Sequence, residues 1–304
     1  MKIGYYGDGP WAHQAIDRMI DDSKYSIQWV VTRFGSNDDY LKQKAKDIGV
    51  PHYEHPNVNQ EDFIQEISRL PVDLMVSMSF DQIIKRHLFQ LPPLGFINCH
   101  AGALPFYRGR NCLNWAIING EKQFGVTVHY IDEGVDTGDI IRQDFVPIAK
   151  DDTYATVLQK AHDQCADTLI AALNDFVEGK VERKSQAEID SKGSYFPRRI
   201  KGDEIINWKL PAEDIYNFIR AITVPGPCAR TYAAGNEIAI IECDQRIQES
   251  GSEEAPGTIL SADDKGFLVQ TGAGAVKVTR ASNPNSQVDS NASIERGIVL
   301  GSKS

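Results

Sequence analysis

The N-terminal half of the chain alternates strand-like apolar runs with segments whose apolar residues fall at helical spacing. That alternation restricts the fold more than any other feature. Lys2–Tyr6 reads as a strand and is followed by Gly7-Asp8-Gly9-Pro10, then by a helical pattern from Trp11 to Ile20. Ile27–Thr32 reads as a second strand and Asp39–Ile48 as a short polar helix. Gln60–Leu70 carries Phe63, Ile64, Ile67 and Leu70 at helical spacing. Asp73–Ser79 is a nearly continuous apolar run, the pattern of a strand buried on both faces. Asp81–Leu91 reads as a helix and Phe96–Cys99 as another buried strand. The expected class is α/β, with a Rossmann-like, mostly parallel sheet covered by helices.

The pattern then changes. Val126–Ile131 and Ile140–Val146 are strands joined by a glycine-rich loop, and Asp151-Asp152-Thr153 offers capping side chains for a long helix from Tyr154 through Val177. Glu182 to Gly202 is polar and irregular. Pro211–Ile222 is a further helix. Beyond Pro225-Gly226-Pro227 come short strands at Ala229–Ala233, Glu237–Cys243, Gly257–Ser261, Gly266–Gln270 and Ala275–Thr279, as expected of a small closed β-barrel. In the tail, Ile294, Ile298 and Leu300 are expected to dock. The domain division read from this is a catalytic part over 1–190, a linker over 191–204 and a smaller barrel-like, OB-like part over 205–304.

Composition excludes several classes. No run of about 18 apolar residues exists, so no membrane-spanning helix is expected. Five scattered cysteines form no pair with metal-ligand spacing, which predicts no metal site and a reducing, cytoplasmic setting. The formal net charge is −10, whereas gripping a nucleic-acid backbone takes a basic face. The compact basic cluster is Pro197-Arg198-Arg199-Ile200-Lys201, which reads equally as a linker, a small anion site or a solvated charge run.

The chemistry concentrates between Phe96 and Asp139. Asn98 and His100 stand at the end of one strand, and Asp136 lies in Gly134-Val135-Asp136-Thr137-Gly138 after another. An amide and an imidazole can hold a developing oxyanion, and a carboxylate can set the charge of the imidazole, so the trio suits reaction at a carbonyl-like carbon. Taken singly, each has a plainer role: a strand-end cap for Asn98, a satisfied histidine for His100, a turn residue for Asp136. His129 sits mid-strand and reads as structural. Gly7-Asp8-Gly9 lacks the rest of a dinucleotide-binding fingerprint.

Three motifs in order, Asn98-Cys99-His100, Leu104-Pro105-Phe106-Tyr107-Arg108-Gly109 and Asp132-Glu133-Gly134-Val135-Asp136-Thr137-Gly138, resemble the formyltransferases that use 10-formyltetrahydrofolate. The resemblance extends over nearly the whole chain. It implies Asn98, His100 and Asp136 as the catalytic trio and 10-formyltetrahydrofolate as formyl donor. It also implies a folate slot between Gln82, Ile83 and Ile84 on one side and Asp132, Glu133, Gly134 and Val135 on the other, with Arg110 a further folate contact. Tyr195-Phe196-Pro197-Arg198-Arg199, Ile206-Asn207-Trp208 and Ile219-Arg220-Ala221 are most similar to the branch acting on nucleotide-linked sugars. The short loop Thr32–Asp39 lacks the basic insertion of the enzymes that act on tRNA. The expected acceptor is therefore the amine of a UDP- or TDP-linked deoxy-amino sugar, for surface glycan synthesis, with Gly9, Tyr107, Arg198 and Arg199 as acceptor-binding candidates and no nucleic acid or membrane as partner. The alternatives are methionyl-tRNA formylation, hydrolysis of the formylfolate, and a non-catalytic nucleotide-sugar binder. The resemblance also implies a homodimer. Ala101-Gly102-Ala103 departs from the family's usual Pro-Ser-Leu or Gly-Ser-Leu and leaves the shape of that turn open.

Overall fold

The computed structural model describes residues 1–36, 38–283 and 295–301. The chain divides into two compact units, one of Met1–Gly109, Phe124–Val146 and Gln159–Phe196, the other of Arg110–Gln123, Pro147–Leu158 and Pro197–Ser304.

The first unit begins with β1 (Lys2–Gly7), α1 (Gly9–Asp21), β2 (Ser26–Thr32), α2 (Asp39–Asp47) and β3 (His52–Glu54). It continues with α3 (Glu61–Ile67), β4 (Leu74–Met78), α4 (Arg86–Phe89), β5 (Phe96–His100) and the two-residue β6 (Arg108–Gly109). After α5 (Cys112–Ile118), which belongs to the other unit, come β7 (Gln123–Tyr130), β8 (Ile140–Pro147), α6 (Tyr154–Val177), α7 (Gln186–Ile189) and β9 (Tyr195–Phe196). Seven strands form one sheet in the order β3-β2-β1-β4-β5-β7-β8. β1 pairs parallel with β2 and β4, β2 with β3, and β4 with β5. β7 pairs antiparallel with β5, so the sheet is mixed at that side.

All five residues of β4 are buried, Ser77 among them, as its nearly continuous apolar run requires at the centre of such a sheet. On one face Tyr6, Trp29, Phe63, Ile67, Leu88 and Phe96 pack into a single cluster. The α2 start is capped by Asp38, whose carboxylate accepts from the Leu41 N–H at 3.2 Å. The helix expected over Asp81–Leu91 shrinks to α4. The side chain of Gln82 bonds the His55 carbonyl and the Val58 N–H, and Asn59 Oδ1 accepts from the Lys85 N–H. These bonds hold 82–85 extended, so Ile84 is buried (6 % exposed) while Ile83 faces outward (63 %).

The second unit contains α5, α8 (Ala212–Ile222) and a five-stranded antiparallel sheet. Its strands are β10 (Ala229–Ala233), β11 (Asn236–Cys243), β12 (Ile259–Asp263), β13 (Gly266–Gln270) and β14 (Ala275–Ser282), ordered β10-β11-β14-β13-β12. The segment before the end of the chain bridges the two edges: Val299 pairs with Thr258 beside β12, and Gly301 pairs with Tyr232 of β10. That closure removes exposed strand edges. Leu300 docks as expected, Ile298 is half-buried, and Ile294 lies outside the described residues. Among the described residues no helix is long and apolar enough to cross a membrane.

Candidate active site

The β5–β7 register assembles the site. Asn98 stands opposite His129 and His100 opposite Thr127, so these four side chains share one face of the sheet. Asn98 Nδ2 lies 3.3 Å from His129 Nε2. His129 Nδ1 donates to the Tyr130 carbonyl at 2.8 Å, so Nε2 accepts one amide N–H of Asn98 when the ring is neutral and faces Asp136 when it is protonated. Asn98 keeps its second N–H for another acceptor.

Asp136 joins from the loop after β7. Its Oδ1 is 3.6 Å from His129 Nε2, its Oδ2 is 3.8 Å from His100 Nδ1, and Oδ2 accepts the Gly109 N–H at 2.9 Å. Burial works to raise its pKa. The charges of His100 and His129, the His129 hydrogen bond and the Gly109 N–H outweigh that and hold the carboxyl well below the usual range. His100 Nε2 donates to the Tyr107 carbonyl at 2.7 Å. With that nitrogen committed as an N–H, Nδ1 is the ring's site for a second proton, and it faces the carboxylate.

Two of the atoms around His100 come from residues in the left-handed region, Tyr107 (φ 56°) and Asp136 (φ 55°). A non-glycine residue there costs about 1–3 kcal/mol and persists where surrounding bonds over-determine it. Here they do. Tyr107 stacks on Phe196 with ring centroids 4.6 Å apart, and its N–H bonds Ser194 Oγ at 3.2 Å. Thr127 Oγ1 donates to the Gly102 carbonyl at 2.7 Å, and Gln143 Nε2 donates to the Leu104 carbonyl at 2.8 Å. These bonds fix the turn whose sequence departs from the family pattern. A Cβ on Gly102 would fall 2.4 Å from His100 Nε2 and from the Tyr107 carbonyl oxygen, so the small residue makes room for that hydrogen bond.

The structure therefore brings Asn98, His100, Asp136 and Tyr107 together and adds His129, which sequence reasoning read as structural. Only the antiparallel register with β5 reveals it. Replacing His129 by phenylalanine removes the bond that orients Asn98. A bond of about 1–1.5 kcal/mol corresponds to a loss of roughly tenfold in kcat. Steady-state kinetics beside a melting curve checks this.

The expected folate residues form a second group in the same unit. Arg86 at the start of α4 pairs with Glu133, which ties the 82–86 segment to the loop after β7. Asp132 is a turn residue: its Oδ1 accepts from the Gly134 N–H and the Thr137 hydroxyl. Val135 (47 % exposed) and Ile83 stand outward on the two tied segments, whereas Ile84 is core. Exposed apolar side chains on two adjoining segments suit the faces of a planar heteroaromatic ring. Gly9 donates its N–H to the Asp38 carboxylate at 2.7 Å. Arg110, Arg198 and Arg199 belong to the second unit. Arg110 and Arg198 are exposed. Arg199 stacks over Trp115 and Phe218 at 5.6 and 5.5 Å and donates to the Asp203 carbonyl. Among the described residues no group of three metal-ligating side chains is gathered.

Residues 1–173 match a family profile described as formyl transferase, and residues 199–294 match the formyl transferase C-terminal domain. The methionyl-tRNA formyltransferase of Alkaliphilus metalliredigens is 32% identical over 99% of this chain and 98% of its own length. That of Pelotomaculum thermopropionicum is 35% identical over 79% of this chain and 75% of its own. A solved N-formyltransferase from Helicobacter canadensis, in complex with folinic acid and dTDP-3-aminofucose, aligns with a TM-score of 0.71 over 91% of this chain and 99% of that one, at 22% identity.

These relatives overturn the expected acceptor. Full-length similarity above 30% runs to enzymes named for methionyl-tRNA, whereas the sugar enzyme is similar in fold. Four of the residues that suggested the sugar branch are architectural. Tyr195 and Phe196 form β9, which pairs with β6. Ile206 is buried, and buried Trp208 donates to Thr231 Oγ1 at 3.0 Å. Net charge misled for a physical reason: it sums the whole surface, while recognition of a polyanion is local. Both parts of the chain match one family, so this protein belongs to the formyl transferase family and is a formyl-transferring enzyme.

Proposed function

We propose that the protein transfers the formyl group of 10-formyltetrahydrofolate to the α-amino group of methionyl-tRNA. The observation that carries this reading is the similarity to methionyl-tRNA formyltransferases along the entire chain. A nucleic acid thus replaces the sugar as partner, and the five free cysteines support a reducing, cytoplasmic setting.

When bound, the donor supplies a formyl group on a nitrogen that can depart. Asn98 offers its second N–H to the negative charge that grows on the formyl oxygen, and the His100 ring beside it, whose Nε2–H is held by the Tyr107 carbonyl, adds the field of its charge when Nδ1 is protonated. Asp136 has a pKa far below neutrality, so it is a weak base and works first as a charge anchor for His100. The acceptor needs little help before attack, because an α-amine with pKa about 7.7–8.0 is partly neutral at pH 7. Its nitrogen becomes far more acidic once it has attacked, and a weak carboxylate base then suffices to take the proton, which is returned to the departing folate nitrogen. Ile83 and Val135 hold the folate ring, and the Asp132 turn shapes the loop beside it.

The test is incubation with 10-formyltetrahydrofolate and methionyl initiator tRNA, following formyl-methionine by mass. The Km for tRNA is expected to rise linearly with salt on a log–log plot, with a slope of about 0.7–0.9 per phosphate contacted. The Km for the folate is expected to change little. A formylated nucleotide sugar with no formyl-methionine, or formate release without any acceptor, overturns the reading.

A further inference from the structure

We propose that Gln186 is a positioning residue that sets the Asp136 carboxylate in place. This rests on the role given to Asp136 above. The side chain of Gln186 is buried, with the residue 3 % exposed, and every bonding capacity of its amide is used. Nε2 donates to the Asp136 carbonyl at 2.9 Å and to the Gly138 carbonyl at 2.8 Å. Oε1 accepts from Arg108 Nε at 3.0 Å and Nη2 at 2.7 Å.

One amide therefore joins the two chain segments that define the carboxylate's position. From Asp136–Gly138 it takes the backbone of the acid itself. From Arg108–Gly109 it takes the residue next to the N–H that bonds Asp136 Oδ2 at 2.9 Å. Arg108 is buried and is anchored further by the Lys192 carbonyl at 3.3 Å and by the Tyr195 ring, 5.2 Å from the guanidinium carbon. The chain of contacts runs from a fixed cation, through Gln186, to a backbone in the left-handed region that needs such holding. Only a side chain with two donors and two acceptor lone pairs on one planar group satisfies both ends. Glutamate keeps the Arg108 end and sets a carboxylate against two carbonyl oxygens. Methionine keeps the bulk and loses both ends.

The sequence carries no hint of this role. Gln186 lies in a polar, irregular stretch of the kind that reads as a connection, and its partners are 78 and 48 positions away.

The experiment is a double-mutant cycle of Gln186→Glu with Asp136→Asn in the full-length enzyme, with Gln186→Met as a second variant should the first fold poorly. A shift of the acid by about 1 Å costs on the order of 100-fold, so Gln186→Glu is expected to lower kcat and kcat/Km together by about 10- to 100-fold. In the Asp136→Asn background the same change is expected to add little. A second readout needs neither acceptor nor donor. In histidine-labelled protein the ring resonances of His100 and His129, which face Asp136 at 3.8 and 3.6 Å, are expected to move in both Gln186 variants. Wild-type kinetics in the Gln186 variants overturns the proposal. So does an equal loss in both backgrounds, or a loss of Tm with unmoved ring resonances, since each marks a merely structural residue. Wild-type turnover by Asp136→Asn alone overturns the underlying role of Asp136 and is told apart by that single variant.

Discussion

Asp136→Asn is expected to lower kcat by about 100- to 10,000-fold, the range for a group that handles charge and protons in the transition state. Asparagine keeps the size and can still accept the Gly109 N–H, so the turn is preserved. What goes is the negative charge 3.8 Å from His100 Nδ1 and 3.6 Å from His129 Nε2. Without it the His100 ring loses the charge that favours its protonated form, and the proton of the acceptor nitrogen loses its nearest base. The Km for the folate is expected to move little, because no folate residue depends on that carboxylate.

The same substitution changes stability in a pH-dependent way. The folded pKa of Asp136 is depressed below the unfolded value of about 3.9. Between those two values the unfolded state binds more protons than the folded one, so stability falls as pH falls. The contribution is fully present above the unfolded pKa and is lost as pH drops through the folded one. Urea midpoints between neutral pH and pH 3 should therefore decline more steeply for the wild type than for Asp136→Asn. Parallel declines would show that the carboxylate is not held in the folded state by its two imidazoles.

His100→Ala is expected to cost about 100- to 1,000-fold in kcat, the loss typical of removing one group that stabilises an oxyanion. Two further effects separate it from the Asp136 variant. Removing the ring leaves the Tyr107 carbonyl without the donor it has at 2.7 Å, on a residue already at φ 56°. It also withdraws the largest favourable charge from Asp136, so the carboxyl titrates closer to its ordinary value. The pH dependence of urea stability described for Asp136 is then expected to flatten in His100→Ala as well. Retention of wild-type kcat would remove the ring from the chemistry.

Local pattern was enough for much of the fold. The strand from Lys2, the long helix Tyr154–Val177, and the strands at Ala229–Ala233 and Gly266–Gln270 appear where period and turn residues put them, because each is set by neighbours within a few residues. The motifs around Asn98, His100 and Asp136 were equally readable, since each is a short run of residue types. The segment 81–91 was not. Its helical pattern is real, but Gln82 and Lys85 bond to side chains and carbonyls more than 20 positions away, and these hold the backbone extended.

The acceptor was misread for a similar reason. Charge totals and a polar stretch near 195–208 describe composition, whereas Phe196 and Trp208 turn out to hold strands together. By itself the sequence determined the class of sheet and the order of its motifs, which follow from local periodicity and spacing, and it pointed to Asn98, His100 and Asp136 as the candidate trio. Only the tertiary structure decided that β7 runs antiparallel beside β5, which brings His129 against Asn98, and that Gln186 closes on Asp136 and Arg108 at once. Strand direction and long-range pairing are settled by packing over the whole sheet, and a hydrogen bond between residues 50 positions apart leaves no periodic trace in the chain.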